Sequence, residues 1–324
     1  MIDVRVAGIE VCNELVRCFT LQPLQGSTLP GYTAGSHLRV QVRLADGACD
    51  WRAYSLIELD PDVDTTQTRS SYRIAVRLEQ PGRGGSRFMH TLQPGELLRI
   101  EAPRNDFELQ PAPGQGMLLV AGGIGVTPLT AMAARCRRAG IPVRMVYAGR
   151  SRELMAFVPE LQRLLGSSLH LHVDEQAGAA LDVGRVFADC APHEQVALCG
   201  PTAMLDAARA AAEALGWSSG RLRFESFAPA APQAQDHAFE LVLAQSGRTL
   251  TVAADQTILD CLLEHGHDPL FDCRRGDCGV CAVAVLEGEI DHRDHVLGTA
   301  EKASGKVIQI CISRARGQRL VLDL

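Results

Sequence analysis

The chain has 324 residues, of which 46% are hydrophobic, 22% charged and 5% aromatic. That is the composition of a folded globular protein with room for two or three domains, not of a disordered or membrane one. No apolar run approaches the ~18 residues of a membrane span, and a net charge of −6 argues against a nucleic-acid partner.

The N-terminal "MIDVRVAGIEV" carries Asp3 and Arg5 where a signal peptide needs an unbroken apolar core, so it reads as a first strand of a cytoplasmic protein. Thiols stay reduced there, and an odd count of eleven cysteines points to metal or redox chemistry rather than a disulfide framework. Further on, "HLRVQVRL", "RAYSLIEL" and "SYRIAVRLE" alternate polar and apolar residues. Residues 1–110 are therefore expected to form an antiparallel β-barrel or sandwich. "GRGGS", Gly82 to Ser86, precedes a short helical stretch, "RFMHTL". Backbone N–H groups at Gly84 and Gly85, the Arg83 cation and the Ser86 hydroxyl make a place for a phosphate monoester.

A soft boundary, "LQPAPGQG" at 109–116, leads into residues 111–228, where strands alternate with helices: "GMLLVAGG" before "PLTAMAARCRRAG", "VRMVYAG" before "ELMAFVPELQRLL", and "QVALCGP" before "AMLDAARAAAEALG". That order predicts a parallel sheet with covering helices. "GGIGVTP" runs from the first strand through Gly122, Gly123 and Gly125 to Thr127, the expected N-cap, and Pro128 at the first helical position. Such a turn brings backbone N–H groups to a pyrophosphate; a plain tight turn is the competing reading, since Pro128 stands where the third glycine of G-x-G-x-x-G would be. "LCGP", with Cys199 and Gly200, ends a later strand. The ligand-binding edge of a parallel sheet is its row of strand ends, which places Cys199 beside a nicotinamide ring or, alternatively, in the core.

"FAPAAPQAQDH" at 227–237 lacks any hydrophobic period and supplies a linker, 229–237, before a third domain over 238–324. Here a hairpin around Ser246 and Gly247 leads into the apolar helix "TILDCLLEHG". Then comes "CRRGDCGVC": Cys273, Cys278 and Cys281, followed 30 positions later by Cys311. Four thiolates suit tetrahedral zinc or a 2Fe-2S cluster. Zinc sites favour two short-spaced pairs, whereas three ligands on one loop with a distant fourth is the plant-type ferredoxin spacing. Gly276 and Gly279 suit a backbone curled around a cluster. Residues 236–324 hold 14 acidic and 9 basic residues, against 24 and 23 elsewhere; this acidity is either a solvated face or a surface for a basic partner.

These motifs carry resemblances. The third block resembles the plant-type ferredoxin domain over its whole length. "GGIGVTP" followed by "CGP" resembles the ferredoxin-NADP reductase superfamily over residues 1 to about 228, and "RAYS" matches its R-x-Y-S flavin strand. The resemblance implies a flavin-binding barrel in which Arg52 meets the phosphate, Tyr54 faces the ring, and Ser55 lies near the redox nitrogen. Ala53 stands where relatives often have Thr. With "GRGGS" as a monophosphate site, the flavin expected is FMN. "FESF" at 224–227 would return to the flavin, bringing Glu225 and Phe227 to the ring. Flavin barrel, nicotinamide domain and C-terminal ferredoxin, in that order, resemble the phthalate dioxygenase reductase type, including vanillate demethylase reductases. The implied fold is multidomain: antiparallel β-barrel flavin domain, α/β parallel-sheet nicotinamide domain, and α+β ferredoxin-like β-grasp domain. The implied route is NADH to FMN to 2Fe-2S to a Rieske-type terminal oxygenase acting in aromatic degradation. The donor is less decided by the residues themselves, because Arg150, Ser151 and Arg152 lie where an acid selecting NADH is expected and suit the 2′-phosphate of NADPH. Rival readings are a reductase for another acceptor, such as a cytochrome P450, and a zinc-containing nicotinamide-responsive binding protein.

Overall fold

The computed structural model describes every residue except 25, 26, 81, 83, 109–113, 219, 228–232, 234 and 277. Both segments read as boundaries in the sequence, 109–116 and 227–237, fall largely outside the described residues, as does Arg83. Packing divides the chain into two compact units, Met1–Glu225 and Ser226–Leu324. Among the described residues no helix is long and apolar enough to cross a membrane.

The first unit begins with six antiparallel strands: β1 (Ile2–Val11), β2 (Val16–Pro23), β3 (His37–Arg43), β4 (Cys49–Ser55), β5 (Tyr72–Arg77) and β6 (Leu97–Ile100). Helix α1 (Gly85–Thr91) precedes β6. Their order is β4-β3-β6-β1-β2-β5, and a bridge between Leu56 and Ile74 draws the two outer edges together, so the sheet nearly closes into a barrel. Alternation is the cause: Val4 and Val6, Phe19 and Leu21, and Leu38, Val40 and Val42 all point into one buried core.

The same unit continues with β7 (Gly116–Gly122), α2 (Val126–Arg138), β8 (Val143–Gly149), α3 (Val158–Leu165), β9 (Leu169–Val173), α4 (Asp174–Ala177), α5 (Val183–Ala188), β10 (Glu194–Cys199), α6 (Thr202–Ala214) and β11 (Leu222–Glu225). The five strands pair in parallel in the order β11-β10-β7-β8-β9. All seven residues of β7 are buried, as a central strand covered on both faces requires. One expectation changes here. A 3-10 turn over Gly123–Gly125 starts α2 at Val126, with Gly125 rather than Thr127 as its cap. Thr127 Oγ1 instead donates to the Ile124 carbonyl at 3.0 Å. Pro128 is thereby the third helical residue, where the missing N–H would have had no intrahelical acceptor in any case.

The second unit contains β12 (Phe239–Leu243), β13 (Arg248–Val252), α7 (Ile258–Glu264), β14 (Ala282–Glu287), β15 (Ile290–Asp291), α8 (Thr299–Ser304), β16 (Val307–Gln309), β17 (Arg314–Ala315) and β18 (Arg319–Leu322). Its main sheet runs β13-β12-β18-β14-β16, and β15 pairs with β17. The expected hairpin is β12–β13, and β12 also pairs in parallel with β18. Thr257 caps α7 by accepting the Asp260 N–H at 3.0 Å. The helix then lays Ile258, Leu259, Cys261 and Leu262 into the core of the sheet, the α+β arrangement of a β-grasp domain.

Candidate functional site

On β4 the alternation of a strand puts Arg52 and Tyr54 on one face and Ala53 and Ser55 on the other. Tyr54 packs on the barrel core; burial raises its phenol pKa, and the nearby Arg52 charge partly opposes this. Ala53 is exposed. Ser55 is only 3% exposed, and its Oγ has no hydrogen-bond partner among the described residues, an unsatisfied group of the kind a bound ligand accounts for. Arg52 links this strand to the glycine turn some thirty residues on. A Cβ added to Gly85 would lie 2.7 Å from Arg52 Cγ and 2.8 Å from its Nε, so only glycine lets the arginine stem cross the start of α1. Gly84, the residue before, has φ 84°, a left-handed conformation suited to glycine. Ser86 Oγ accepts the Glu79 N–H at 3.1 Å. The guanidinium pairs with Asp50 and donates to the Trp51 carbonyl at 2.9 Å. "RAYS" and "GRGGS" are thus one locus, with a cation and glycine N–H groups together.

The parallel sheet joins the other two motifs. Register sets Cys199 opposite both Ala121 and Glu225, so "GGIG", "CGP" and the end of β11 lie side by side on one edge. Their contact is close: a Cβ on Gly125 would fall 2.3 Å from the Cys199 carbonyl oxygen, one on Gly122 2.6 Å from Pro201 Cδ, and one on Gly200 2.7 Å from Met204 Sδ. Gly123, at φ 55°, has nothing within 4 Å of that position, so the turn presents open backbone on its outer side. Thr127 and Pro128 are buried in the first turn of α2, Cys199 is fully buried, and Glu225 is 4% exposed. Arg150, one residue past β8, is exposed. Phe227 is half-buried and falls in the second unit.

An acid lies on this edge after all. Asp174 follows β9, the strand beside β8, and the Glu175 N–H next to it donates to the Arg150 carbonyl at 3.1 Å. His172 Nε2 stands 3.4 Å from Asp174 Oδ1. The sequence signal was "LHLHVD", an acid closing a parallel strand, on a strand that propensity alone did not mark.

In the second unit the ligand loop is shaped by left-handed residues: Arg274 at φ 55°, Gly276 at 79° and Gly279 at 77°. A Cβ on Gly276 would lie 2.8 Å from Ile312 Cγ2 and 3.0 Å from Asp294 Cα, and the Gly276 carbonyl accepts the His295 N–H at 2.9 Å. The curl points backbone at sulfur: the Arg275 N–H donates to Cys273 Sγ at 3.3 Å. The four thiols meet in contacts of two. A hydrogen bond with Cys273 raises the Cys278 pKa, bonds with Cys273 and then Cys281 raise that of Cys311, and the Cys311 contact lowers that of Cys281. Among the described residues no three ligating side chains are gathered as a site for one ion. Cys281 Sγ also donates to Oε1 of the buried Gln309 at 3.3 Å. Thiols holding each other's protons are a donor set that bound metal deprotonates, and soft sulfur ligands suit iron-sulfur chemistry.

Residues 241–316 match the 2Fe-2S iron-sulfur cluster binding domain family. The whole chain is 40% identical over 328 residues to the carnitine monooxygenase reductase subunit of Escherichia coli (strain K12), covering 98% of that protein. Among solved structures, an intact type IV self-sufficient cytochrome P450 monooxygenase aligns with a TM-score of 0.76 and 39% identity over the full chain, which spans only 41% of that longer protein. Phthalate dioxygenase reductase, described as a modular structure for electron transfer from pyridine nucleotides to [2Fe-2S], aligns with a TM-score of 0.71 and 35% identity over 99% of this chain and 97% of its own. Identity at this level, carried through barrel, parallel sheet and cysteine domain alike, makes the chain an oxidoreductase belonging to the phthalate dioxygenase reductase family, the reductase subunits of oxygenase systems.

Proposed function

We propose that this protein is the reductase component of a two-component Rieske-type oxygenase or demethylase, passing electrons from NADH through FMN and a 2Fe-2S cluster to its partner. The observation that carries the reading is the pairing of two independently built loci in the first unit, Arg52 against Gly85 and Gly125 against Cys199, with a four-thiol loop in the second. When bound, FMN accepts a hydride's electron pair and releases electrons singly to an iron-sulfur cluster.

The chain's own residues supply place and order. Arg52, with the N–H groups of Gly84 and Gly85, holds the flavin phosphate, its guanidinium exchanging Asp50 for the phosphate oxygens. Ser86 belongs to the same cradle; Arg83, outside the described residues, is assigned to it from the sequence alone. Tyr54 would face the isoalloxazine, and the Ser55 hydroxyl, whose Oγ has no partner among the described residues, would meet its redox nitrogen. Gly122, Gly123 and Gly125 bring backbone N–H groups to the nucleotide's pyrophosphate, while Thr127 and Pro128 fix the first turn of α2. Cys199 and Gly200 would flank the nicotinamide with Glu225. Asp174 accepts hydrogen bonds from the adenosine ribose and repels a 2′-phosphate, which favours NADH and leaves Arg150 outside the discrimination. Cys273, Cys278, Cys281 and Cys311 would hold the cluster through their sulfurs.

A second reading keeps the same electron path and changes the acceptor to a cytochrome P450, which the likeness to the self-sufficient P450 supports. The test is the visible spectrum of the purified protein during anaerobic addition of NADH and, separately, NADPH. Flavin bands and a broad red cluster absorbance that bleach with NADH are expected. A colourless protein containing zinc would overturn the reading. Turnover with a purified Rieske oxygenase against a purified P450 then separates the two acceptors.

A further inference from the structure

Two of the cysteines outside the ligand loop form a cluster of their own. In the hairpin of β1 and β2, Glu10 is opposite Cys18 and Val11 opposite Arg17. The Cys12 N–H, bonded to the Val16 carbonyl at 2.9 Å, extends that register by one residue. Cys12 and Cys18 are therefore diagonal neighbours on one face of the hairpin, a relation that brings side chains of this reach together. Each thiol is the largest influence on the other's acidity. Arg73 on β5 adds a cation: its Nη2 stands 3.7 Å from Cys18 Sγ and 3.7 Å from Glu10 Oε2. Cys18 is 2% exposed, whereas Cys12 is half-buried at the hairpin end. The electrostatics follow from that arrangement. The neighbouring Cys12 thiol, helped by Arg73 and opposed by burial, brings the Cys18 thiol down to about 7, and Cys12 is pushed up. A paired thiol with a guanidinium 3.7 Å from its sulfur has the microenvironment of a reactive thiol rather than of an inert core cysteine.

We propose that Cys12 and Cys18 are a reversible oxidation site, closed to a disulfide by hydroperoxides and reopened by thiols. The chemistry balances. Once the pair has lost one proton to solvent and holds the other on Cys18, the Cys12 thiolate attacks the O–O bond of hydrogen peroxide, forming the Cys12 sulfenic acid and releasing hydroxide, which takes the Cys18 proton as water. The Cys18 thiolate then attacks Cys12 Sγ, the S–S bond forms, and the sulfenic oxygen leaves as hydroxide, which takes back a proton from solvent and becomes water. Two thiols are oxidised, one peroxide is reduced, and two waters result. A diagonal pair is wider than the ideal span for a disulfide. Cys12, however, lies beyond the last residue of β1, at the turn where Asn13 Oδ1 accepts the Leu15 and Val16 N–H groups at 3.0 and 2.9 Å, so a terminal turn rather than the barrel makes the adjustment. Such a bond is readily reduced.

The test uses the full-length, cofactor-loaded protein. It is titrated with hydrogen peroxide, quenched with iodoacetamide, digested with trypsin without reductant, and analysed by mass spectrometry. Cleavage after Arg17 separates the two cysteines into peptides 6–17 and 18–39. The expected product is these two peptides joined and two mass units lighter than their sum, and dithiothreitol should restore both free thiols. In Arg73→Met, link formation slows roughly threefold to tenfold, as removal of a cation beside a thiolate predicts. Recovery of both cysteines as alkylated free thiols, at peroxide levels that oxidise the exposed Cys49, would overturn the proposal. So would oxidation of Cys12 to a sulfinic acid with no link.

Discussion

If Asp174 meets the adenosine ribose as proposed, the choice of nucleotide rests on one carboxylate. Arg150 is exposed past the end of β8, whereas Asp174 follows the neighbouring strand β9 and its neighbour Glu175 donates to the Arg150 carbonyl. A carboxylate there gains two ribose hydrogen bonds from NADH and meets like charge from NADPH. Asp174→Ser is expected to lower the ratio of kcat/KM for NADH over NADPH at least roughly tenfold, the equivalent of about 1.4 kcal/mol. Arg150→Ala and Arg152→Ala should leave NADH turnover within about twofold. Steady-state kinetics with both nucleotides decides the matter, and an unchanged ratio in Asp174→Ser would remove the acid from the discrimination. Arg52 is a second residue whose role is its own. Truncating it to Ala deletes the one charged hydrogen-bond donor from the side chain that crosses Gly85. FMN affinity, followed by fluorescence on dilution, should weaken by about 1.5–3 kcal/mol, roughly tenfold to 150-fold.

At the scale of elements, the edge of the parallel sheet depends on glycine as a spacer. The 2.3 Å approach of an added Cβ at Gly125 is to the Cys199 carbonyl oxygen, a backbone atom that cannot rotate away. Gly125→Ala must push α2 off β10, so it should cost about 1–3 kcal/mol in thermal unfolding and raise the KM for nucleotide as well. Gly123→Ala meets no atom within 4 Å and should cost only the ~1 kcal/mol of its left-handed φ. Charge holds the other end of the same strands. Arg144 on β8 grips Glu194 on β10 through two bonds of 2.7 and 2.8 Å, and that arginine, more than the Ala191 N–H, brings the carboxyl down to about 2. Because the folded value lies below the ordinary one, the pair stabilises the protein fully above about pH 4.5, and this is lost as pH falls through 2. The magnitude is on the order of 2–3 kcal/mol. Glu194→Gln should therefore lower the melting temperature at pH 7 and flatten its acid limb; equal losses at pH 7 and pH 2.5 would contradict the assignment.

Elements also explain what could be read beforehand. Strands β3, β4 and β5 and the "GGIG" and "CGP" turns were legible because alternation and glycine spacing are local signals. The meeting of "RAYS" with "GRGGS" was not, since it depends on a clearance at Gly85 that only three dimensions reveal. β9 escaped notice because "LHLHV" is a five-residue edge strand with two histidines, and Asp174 escaped with it. Thr127 resembled a cap because it precedes proline, but the glycine turn spends three residues as 3-10 helix and moves the start of α2 upstream.

Across the whole molecule, the two compact units divide the chemistry as well as the chain. Met1–Glu225 holds both loci that a flavin and a nucleotide need, each standing on its own buried core, and Ser226–Leu324 holds the four thiols over a third core. Among the described residues these three cores each draw on one unit alone, so separation should leave each foldable. If the first unit alone accepts the hydride, a chain ended after Glu225 should still bind FMN and reduce ferricyanide with NADH at roughly the rate of the full protein. A large acceptor that takes single electrons from the cluster should lose its supply. Cytochrome c reduction by the shortened chain is expected to fall at least about tenfold, and Cys311→Ser in the full-length protein, which removes one cluster ligand and leaves the first unit intact, should reproduce that loss. Retention of full cytochrome c reduction by both would mean that electrons leave from the flavin, and the thiol loop would then have no part in the path.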